Sequence, residues 1–419
     1  MSDMLAFYGG LPVMSHCSRT VGQRGLAALA VAVFSACLAT PAVAQQDGAI
    51  GSLNLSVPVY ATSGHAAQAP AAQSSDSAVL TFFRNTEVSG FVDTYYSYDF
   101  NTPTTRKAGV ERTFDLQHNS FSLNLAELSF VKTPTADSRG GFRFDLDYGP
   151  TQGIVNAAEP GGTQTFQNIG QAYLSYLAPA GGGLQFDIGK FVTPAGNEVI
   201  KTKDNWNYSR SLLFTLAIPF YHTGVRATYT VNNKFTLAGF LVNGWNNVVD
   251  NNTGKTVAVQ ATFKPVAALT IVENYVGGPE QTNDNSDWRH LSDTVATYTV
   301  TPQVSLAGNY DYGQDKESGA TVKWQGFAGY LRYQPTAWFA LSPRAEFYND
   351  REGFTSGMAQ KMKEFTLTAE LKHKDGVVTR LEYRRDFSDI PFFVMNATNT
   401  QHQNTFTVGL IYAFSTKAP

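Results

Sequence analysis

The stretch 404–414 constrains what the rest of the chain can fold into. Phe406, Val408, Leu410, Tyr412 and Phe414 fall at every second position, with Thr405, Thr407, Gly409, Ile411 and Ala413 between them. Period two marks a strand with two unlike faces, here one apolar and aromatic, the other small and mostly polar. About ten residues tilted at roughly 45° cross a bilayer's hydrocarbon core, and this segment has that length. Such a strand cannot stand alone in lipid, because its backbone N–H and C=O groups would have no partners. It therefore requires other strands that close a barrel.

Alternation recurs almost without pause from Glu87 onward. It predicts about sixteen strands: 88–100, 121–131, 141–148, 169–177, 184–189, 224–231, 235–244, 256–264, 269–275, 289–300, 304–312, 325–333, 339–348, 365–372, 378–386 and 404–414. The connections alternate in length. Short ones at 179–182, 232–233, 301–303, 334–337 and 374–376 are rich in the turn formers Asn, Asp, Gly and Pro. Long ones lie at 101–120, 150–167, 192–222, 277–288, 350–361 and 390–403. Short periplasmic turns, long outer loops and an even strand number are the pattern of outer-membrane barrels. Helical periodicity is weak, and its best stretch is 206–216, inside the longest loop.

A soluble all-β sandwich or propeller also has alternating strands. Three features weigh against it. Many of these strands exceed the roughly five or six residues usual in a soluble sheet. Aromatic residues gather near strand ends, at Tyr148, Tyr312, Tyr333, Trp338, Phe339, Tyr348 and Phe414. Charges share single faces, as Arg143, Asp145 and Asp147 do, which a dry sandwich interior would not hold and a wet lumen would. The fold class expected is all-β: a transmembrane antiparallel up-and-down β-barrel.

The ends complete the domain reading. Arg19 and Arg24 precede the apolar run 26–38 and the small-residue stretch Pro41-Ala42-Val43-Ala44. This reads as a cleaved signal peptide, 1–44, with Met14 a second candidate start and Cys37 a poor lipoprotein acceptor. Residues 45–86, rich in Ala, Ser and Gln, read as a flexible periplasmic linker; 87–414 as the barrel; and 415–419 as a short periplasmic tail. Both cysteines, Cys17 and Cys37, fall in the signal, which excludes a disulfide framework and thiol catalysis from the mature chain. A net charge of −3 argues against nucleic acid as a partner.

An ordered set of local motifs accompanies this architecture: Gly90-Phe91-Val92-Asp93-Thr94-Tyr95-Tyr96; Gly189-Lys190-Phe191 with Pro194, Gly196 and Glu198; Thr223-Gly224-Val225-Arg226; and Asn243-Gly244-Trp245-Asn246. Arg289 with Asp293, Arg344-Ala345-Glu346-Phe347-Tyr348 with Asp350 and Gly353, and Arg380-Leu381-Glu382-Tyr383-Arg384 with Asp386 and Ser388 follow. In these the chain resembles the OmpL-like outer-membrane β-barrel porins of Gram-negative bacteria. The resemblance implies a porin-like channel in the cell outer membrane. It implies no substrate and no functional residues. One departure is the tail Ser415-Thr416-Lys417-Ala418-Pro419 after the aromatic that usually ends such chains.

The candidate pore-lining residues are Arg143, Asp145, Asp147, Asp187, Arg226, Arg344, Glu346, Glu370, Arg380, Glu382 and Arg384. A charged lumen would screen ions by sign. The opposing reading is that alternating signs, as in Arg380, Glu382, Arg384 and Asp386, pair and stiffen the wall. The loop 192–222 carries Glu198, Lys201, Lys203, Asp204 and Arg210, and is expected to fold inward as a constriction. No histidine sits in a hydrolase motif and no metal-binding spacing occurs, so neither an enzyme nor a cofactor is expected. The function expected is passive diffusion of small hydrophilic solutes or ions; the alternative is a surface adhesin or structural barrel whose outer loops bind a partner. Other expected partners are outer-membrane lipid and lipopolysaccharide, the barrel-assembly machinery and, by analogy of fold, two further copies in a homotrimer.

Overall fold

The computed structural model describes residues 85–417 apart from 110, 158, 160–166 and 318. The predicted signal peptide, most of the predicted linker and the last two residues of the tail lie outside these. Sixteen strands close an antiparallel barrel. They are β1 (Glu87–Asp99), β2 (Ser120–Lys132), β3 (Gly140–Tyr148), β4 (Ile169–Ala178), β5 (Leu184–Val192), β6 (Tyr221–Asn232), β7 (Phe235–Val242), β8 (Thr256–Val266), β9 (Leu269–Pro279), β10 (Trp288–Thr301), β11 (Val304–Glu317), β12 (Ala320–Thr336), β13 (Phe339–Asp350), β14 (Gln360–Lys372), β15 (Val377–Ser388) and β18 (His402–Ser415). The hairpin β16 (Phe393–Met395) and β17 (Thr398–Thr400) stands apart in the last loop. Each barrel strand pairs with its sequence neighbours, and β1 pairs with β18 from Ser89↔Ser415 to Asp99↔Thr405. Every predicted strand is present, most of them longer than the alternation alone marked out.

Alternation becomes inside and outside. In β18, Thr405 and Thr407 are buried while Phe406, Leu410, Tyr412 and Phe414 are exposed to the outside. Exposed aromatics ring both ends of the outer wall. Tyr176, Phe263, Tyr298, Tyr333, Trp338 and Tyr412 lie toward the short turns, and Phe121, Tyr275, Trp288, Phe347 and Phe365 toward the long loops. Such girdles sit at the two membrane–water interfaces. Tyr348 departs from the girdle reading: it shares the inward face of β13 with Arg344 and Glu346, is fully buried, and bonds Thr355 through its hydroxyl at 2.6 Å.

Three further differences from the sequence reading have local causes. The strands expected at 304–312 and 325–333 run on toward each other, paired in register as far as Glu317↔Ala320. The segment 243–255 is a loop where alternation stops, with a left-handed φ of 63° at Asn246. The helical stretch 206–216 is not an α-helix; a single π-helical turn, Leu213–Ala217, forms instead.

The tail begins as part of the wall rather than hanging free. Ser415 belongs to β18, and Thr416 bonds Val88 twice, N–H to carbonyl at 2.9 Å and hydroxyl accepting the Val88 N–H at 3.0 Å. Gly90, opposite Phe414, is needed at this seam, since a Cβ there would lie 2.4 Å from the Glu127 carbonyl and 2.9 Å from the Phe414 ring. Ending the chain at Phe414 removes both Thr416 bonds. With each hydrogen bond contributing about 0.5–1.5 kcal/mol, the truncated barrel is expected to unfold at lower urea in a gel-mobility titration. An unchanged midpoint would show that the seam does not need Thr416.

Candidate constriction site

The loop 193–220 between β5 and β6 runs into the barrel and meets the inward face on several sides. Its composition splits in two. The stretch from Glu198 to Arg210 is polar and charged, whereas 212–220 is mostly apolar. The apolar part includes the π-helical turn. It buries Leu212, Leu213, Phe214, Ala217, Ile218 and Phe220 in one cluster with wall residues Phe240, Val242, Trp324, Ala328, Tyr348 and Met362. The Trp324 indole N–H donates to the Ala217 carbonyl at 3.1 Å.

Apart from one 3-10 turn at Thr202–Asp204, the polar part lacks regular structure, so most of its backbone groups need partners elsewhere. The charged inward faces of β13, β14 and β15 supply them. Glu382 accepts the N–H groups of Tyr208 (2.6 Å) and Ser209 (2.9 Å) and the Thr368 hydroxyl (2.7 Å). Glu346 accepts those of Leu212 (3.1 Å) and Leu213 (3.3 Å). Arg380 donates to the carbonyls of Thr202, Asn205 and Asn207 and pairs with Glu370 at 2.8 Å. Arg384 donates to the Arg210 carbonyl and pairs with Asp386 at 2.7 Å.

Arg344 is the hub. One guanidinium meets Glu198 of the loop (2.7 Å) and both Glu346 and Glu364 of the wall (3.1 Å each), and it donates to the Ser209 carbonyl at 2.8 Å. All four side chains are at most 4% exposed. A second anchor lies on β1–β3, beyond β18 from the first. Lys201 pairs with Glu127 of β2 (2.6 Å) and Asp145 of β3 (2.9 Å). Burial works to lower the Lys201 pKa, but these two carboxylates outweigh it and raise it, so the anchor stays charged. Asp93 of β1 accepts hydroxyl bonds from Thr202 (2.6 Å) and Tyr208 (2.9 Å), and an amide bond from Asn124 (2.8 Å). Asn124 turns inward beside Leu125 because the β1–β2 register slips there, and such a bulge re-aims a side chain. Gly409 of β18 leaves room for the Tyr208 ring, which a Cβ would meet at 2.3 Å.

The remaining sequence candidates take other positions. Arg143 pairs with Asp145 at 3.0 Å, and Asp147 is buried facing Glu127 across the β2–β3 ladder. Arg226 and Asp187 pair at 2.7 Å on β6 and β5, with Ser175 and Gln185 also on Asp187. Lys203 and Asp204 pair with each other at the half-exposed tip of the loop. Arg210, fully buried, has its pKa lowered by that burial and donates to the carbonyls of Val199, Ile200 and Tyr208.

A second loop, 100–119, lies over this assembly. Its Phe114 packs against Phe214 and Phe220, with the Arg210 guanidinium 5.2 Å from the Phe114 ring centre. Arg112 binds Asp115 and the Thr405 hydroxyl and lies 3.8 Å from Asp386. Glu111 accepts from Gln403 and is fully buried. Burial and the nearby Asp386 push its pKa up to about 7. Asp93, Glu111, Arg112, Glu127 and Glu364 were absent from the sequence candidates. Asp93, Glu127 and Glu364 continue inward-facing alternation on their strands and were legible in principle. Glu111 and Arg112 sit in a loop with no periodicity to reveal them.

Among the described residues no group of three or more His, Cys, Asp or Glu is placed to hold a metal ion. The family model described as "Putative beta-barrel porin-2, OmpL-like" matches residues 85–414. The chain belongs to the OmpL-like porins. No curated protein matches it in sequence. Solved porins share the fold at low identity. OmpF of Salmonella typhi, in complex with daunomycin, superposes with a TM-score of 0.55 at 14% identity, covering 78% of this chain and 97% of that one. The outer-membrane channel DcaP of Acinetobacter baumannii gives 0.52 at 12% identity, with the same coverages. OmpT of Vibrio cholerae in its trimer form gives 0.52 at 10%, covering 78% of this chain and 99% of that one. Outer-membrane barrels carry long loops outside and short turns in the periplasm, and the connections of this barrel alternate long and short in the same way.

Two predictions follow from the charge network. Arg344→Met strands Glu198, Glu346 and Glu364 in a buried site, and breaking a buried pair this way costs about 3–5 kcal/mol. The urea midpoint followed by tryptophan fluorescence should fall accordingly, and Arg344→Lys should not restore it, because one ammonium cannot reproduce the fork. The Glu111 pKa is raised in the folded state from 4.5 to about 7. Its stabilising contribution is therefore complete below about pH 4.5 and is lost as pH rises through 7. Amide exchange in 100–119 should quicken between pH 5 and 8, and Glu111→Gln should flatten that dependence. Parallel profiles for both proteins would refute the assignment.

Proposed function

We propose that this porin is a passive diffusion channel for small hydrophilic solutes or ions, in which 193–220 is the constriction and the inward charges tune selectivity. A barrel of 16–18 strands without an inserted loop leaves a wide aqueous channel. The observation that carries the reading is the anchoring of this loop. Its polar half, rooted between β5 and β6, is held by Arg344, Arg380, Glu382 and Arg384 on β13 and β15, half the barrel away, and by Asp93, Glu127 and Asp145 on β1–β3. A loop held across the bore narrows it, and every anchor is a hydrogen bond or ion pair that water and solute can replace. Asp147, Asp187, Arg143, Arg226 and Glu370 then line the path beside it.

The channel needs no cofactor and no covalent chemistry. Export through a cleaved signal peptide at 1–44, folding by the barrel-assembly machinery, an outer leaflet of lipopolysaccharide around the wall, and assembly as a homotrimer complete the proposal. The trimer form of the similar OmpT supports the last point.

Planar-bilayer recordings of the purified barrel test the reading. Wild type should give discrete steps of low conductance, and deleting 197–213 should raise the step size several-fold. A milder probe is Gly409→Leu, which displaces the Tyr208 ring and should raise conductance in the same direction. Unchanged conductance in the deletion would refute the constriction. A correctly inserted barrel that passes no current would favour the adhesin.

A further inference from the structure

Beneath the tip of 193–220 a cavity of about 250 Å³ opens at the short-turn end of the barrel. Lys203 and Trp206 of the loop tip line one side. Arg332 on β12, Glu370 and Lys372 on β14 and Arg380 on β15 line the other, with Val378 and Ile411 giving an apolar patch. Gln334 and Lys372 lie at the ends of β12 and β14 beside the short turns, so the cavity is a vestibule on the periplasmic side of the constriction.

Its charge is unbalanced. Lys203, Arg332, Lys372 and Arg380 face two carboxylates, Asp204 and Glu370, an excess of two positive charges. Glu370 alone serves three of the cations: Arg332 at 2.6 Å, Arg380 at 2.8 Å and Lys372 at 3.8 Å. Arg380 spends its other donors on loop carbonyls, so it belongs to the constriction. Arg332 and Lys372 do not. Arg332 donates from one terminal nitrogen to Glu370 and Gln334, and the Lys372 side chain is 45% exposed. Elsewhere inward cations are matched by acids, as Arg344 is by three carboxylates, Lys201 by two and Arg226 by Asp187, or, like Lys190 and Arg210, are buried with their donors spent on carbonyl and amide oxygens. The vestibule is thus a place where cationic donors exceed the acids that face them, in a site partly shielded from bulk solvent.

We propose that this vestibule binds a small organic anion, with its charged group between Arg332, Lys372 and Lys203 and its apolar part against Trp206, Val378 and Ile411. A guanidinium and an ammonium converging on open space favour a carboxylate or phosphate group. The volume is below the 300 Å³ or so at which drug-sized ligand sites begin, which suits a small organic acid rather than an oligosaccharide. A positive field at one mouth also raises the local concentration of anions entering the channel. This deepens the diffusion-channel reading by naming a solute class, but the binding itself does not depend on conduction.

Calorimetry on the whole barrel in neutral detergent at low salt, with benzoate and its uncharged counterpart benzyl alcohol as probes, tests the site. Benzoate should bind saturably and weaken at least about tenfold in 1 M salt, where the screening length falls to about 3 Å. Lys372→Glu, at an exposed position, should weaken it by a similar factor, and Arg332→Gln should do so independently. Equal binding of the two probes, or benzoate binding indifferent to both variants, overturns the proposal. Single-channel recordings separate the two readings: binding without current keeps the site and removes the diffusion channel, whereas current without binding does the reverse.

Discussion

A peptide group in hydrocarbon must find its hydrogen-bond partner within the protein, and everything else in this structure depends on that. An open sheet of these sixteen strands would leave two edges unpaired in lipid at a cost of several kcal/mol per group. Pairing β1 with β18 removes both edges, and the seam runs the length of those strands from Ser89 to Asp99. Once closure is obligatory, the outer surface must be apolar between its aromatic girdles, and the polar residues of the strands are turned inward, beside the inner apolar patch that includes Phe240, Val242 and Trp324.

The inward half then raises the same problem in a different place. Sixteen strands enclose more space than wall side chains fill, and the inner wall carries arginines and carboxylates that need partners. The loop 193–220 meets both needs. Its irregular backbone exposes N–H and C=O groups, and the wall exposes carboxylates and guanidiniums. Glu382 and Glu346 take up the donors, while Arg380 and Arg384 take up the acceptors. Charge-assisted bonds of this kind are short and strong, and they hold a segment with only two short helical turns in one place. The apolar residues 212–220 add a hydrophobic attachment to the wall at β7 and β12–β14. Cations outnumber acids where the loop tip ends, since Arg332, Lys372 and Arg380 share the one carboxylate of Glu370.

Much of this is legible in the amino-acid sequence. The period-two pattern located every wall strand, because alternation is the direct image of a sheet with lipid on one face and a polar interior on the other. The same pattern placed Arg344, Glu346, Glu370, Arg380, Glu382 and Arg384 on one face. Boundaries were less legible. Glu364 lies one residue outside the predicted 365–372, and β11 and β12 run past their apolar parts, since strands beyond the bilayer no longer need an apolar face. Tyr348 read as a girdle residue from its position near a strand end, yet its parity with Arg344 and Glu346 turns it inward.

The amino-acid sequence by itself determined the closed antiparallel barrel and which face of each strand meets lipid, because those follow from short-range periodicity and from what lipid forbids. The tertiary structure alone decided which charges meet. Glu198 with Arg344, Lys201 with Glu127 and Asp145, and Asp93 with Tyr208 join residues far apart in the chain. Their partnerships depend on the path of an aperiodic loop through a space that exists only after the barrel has closed.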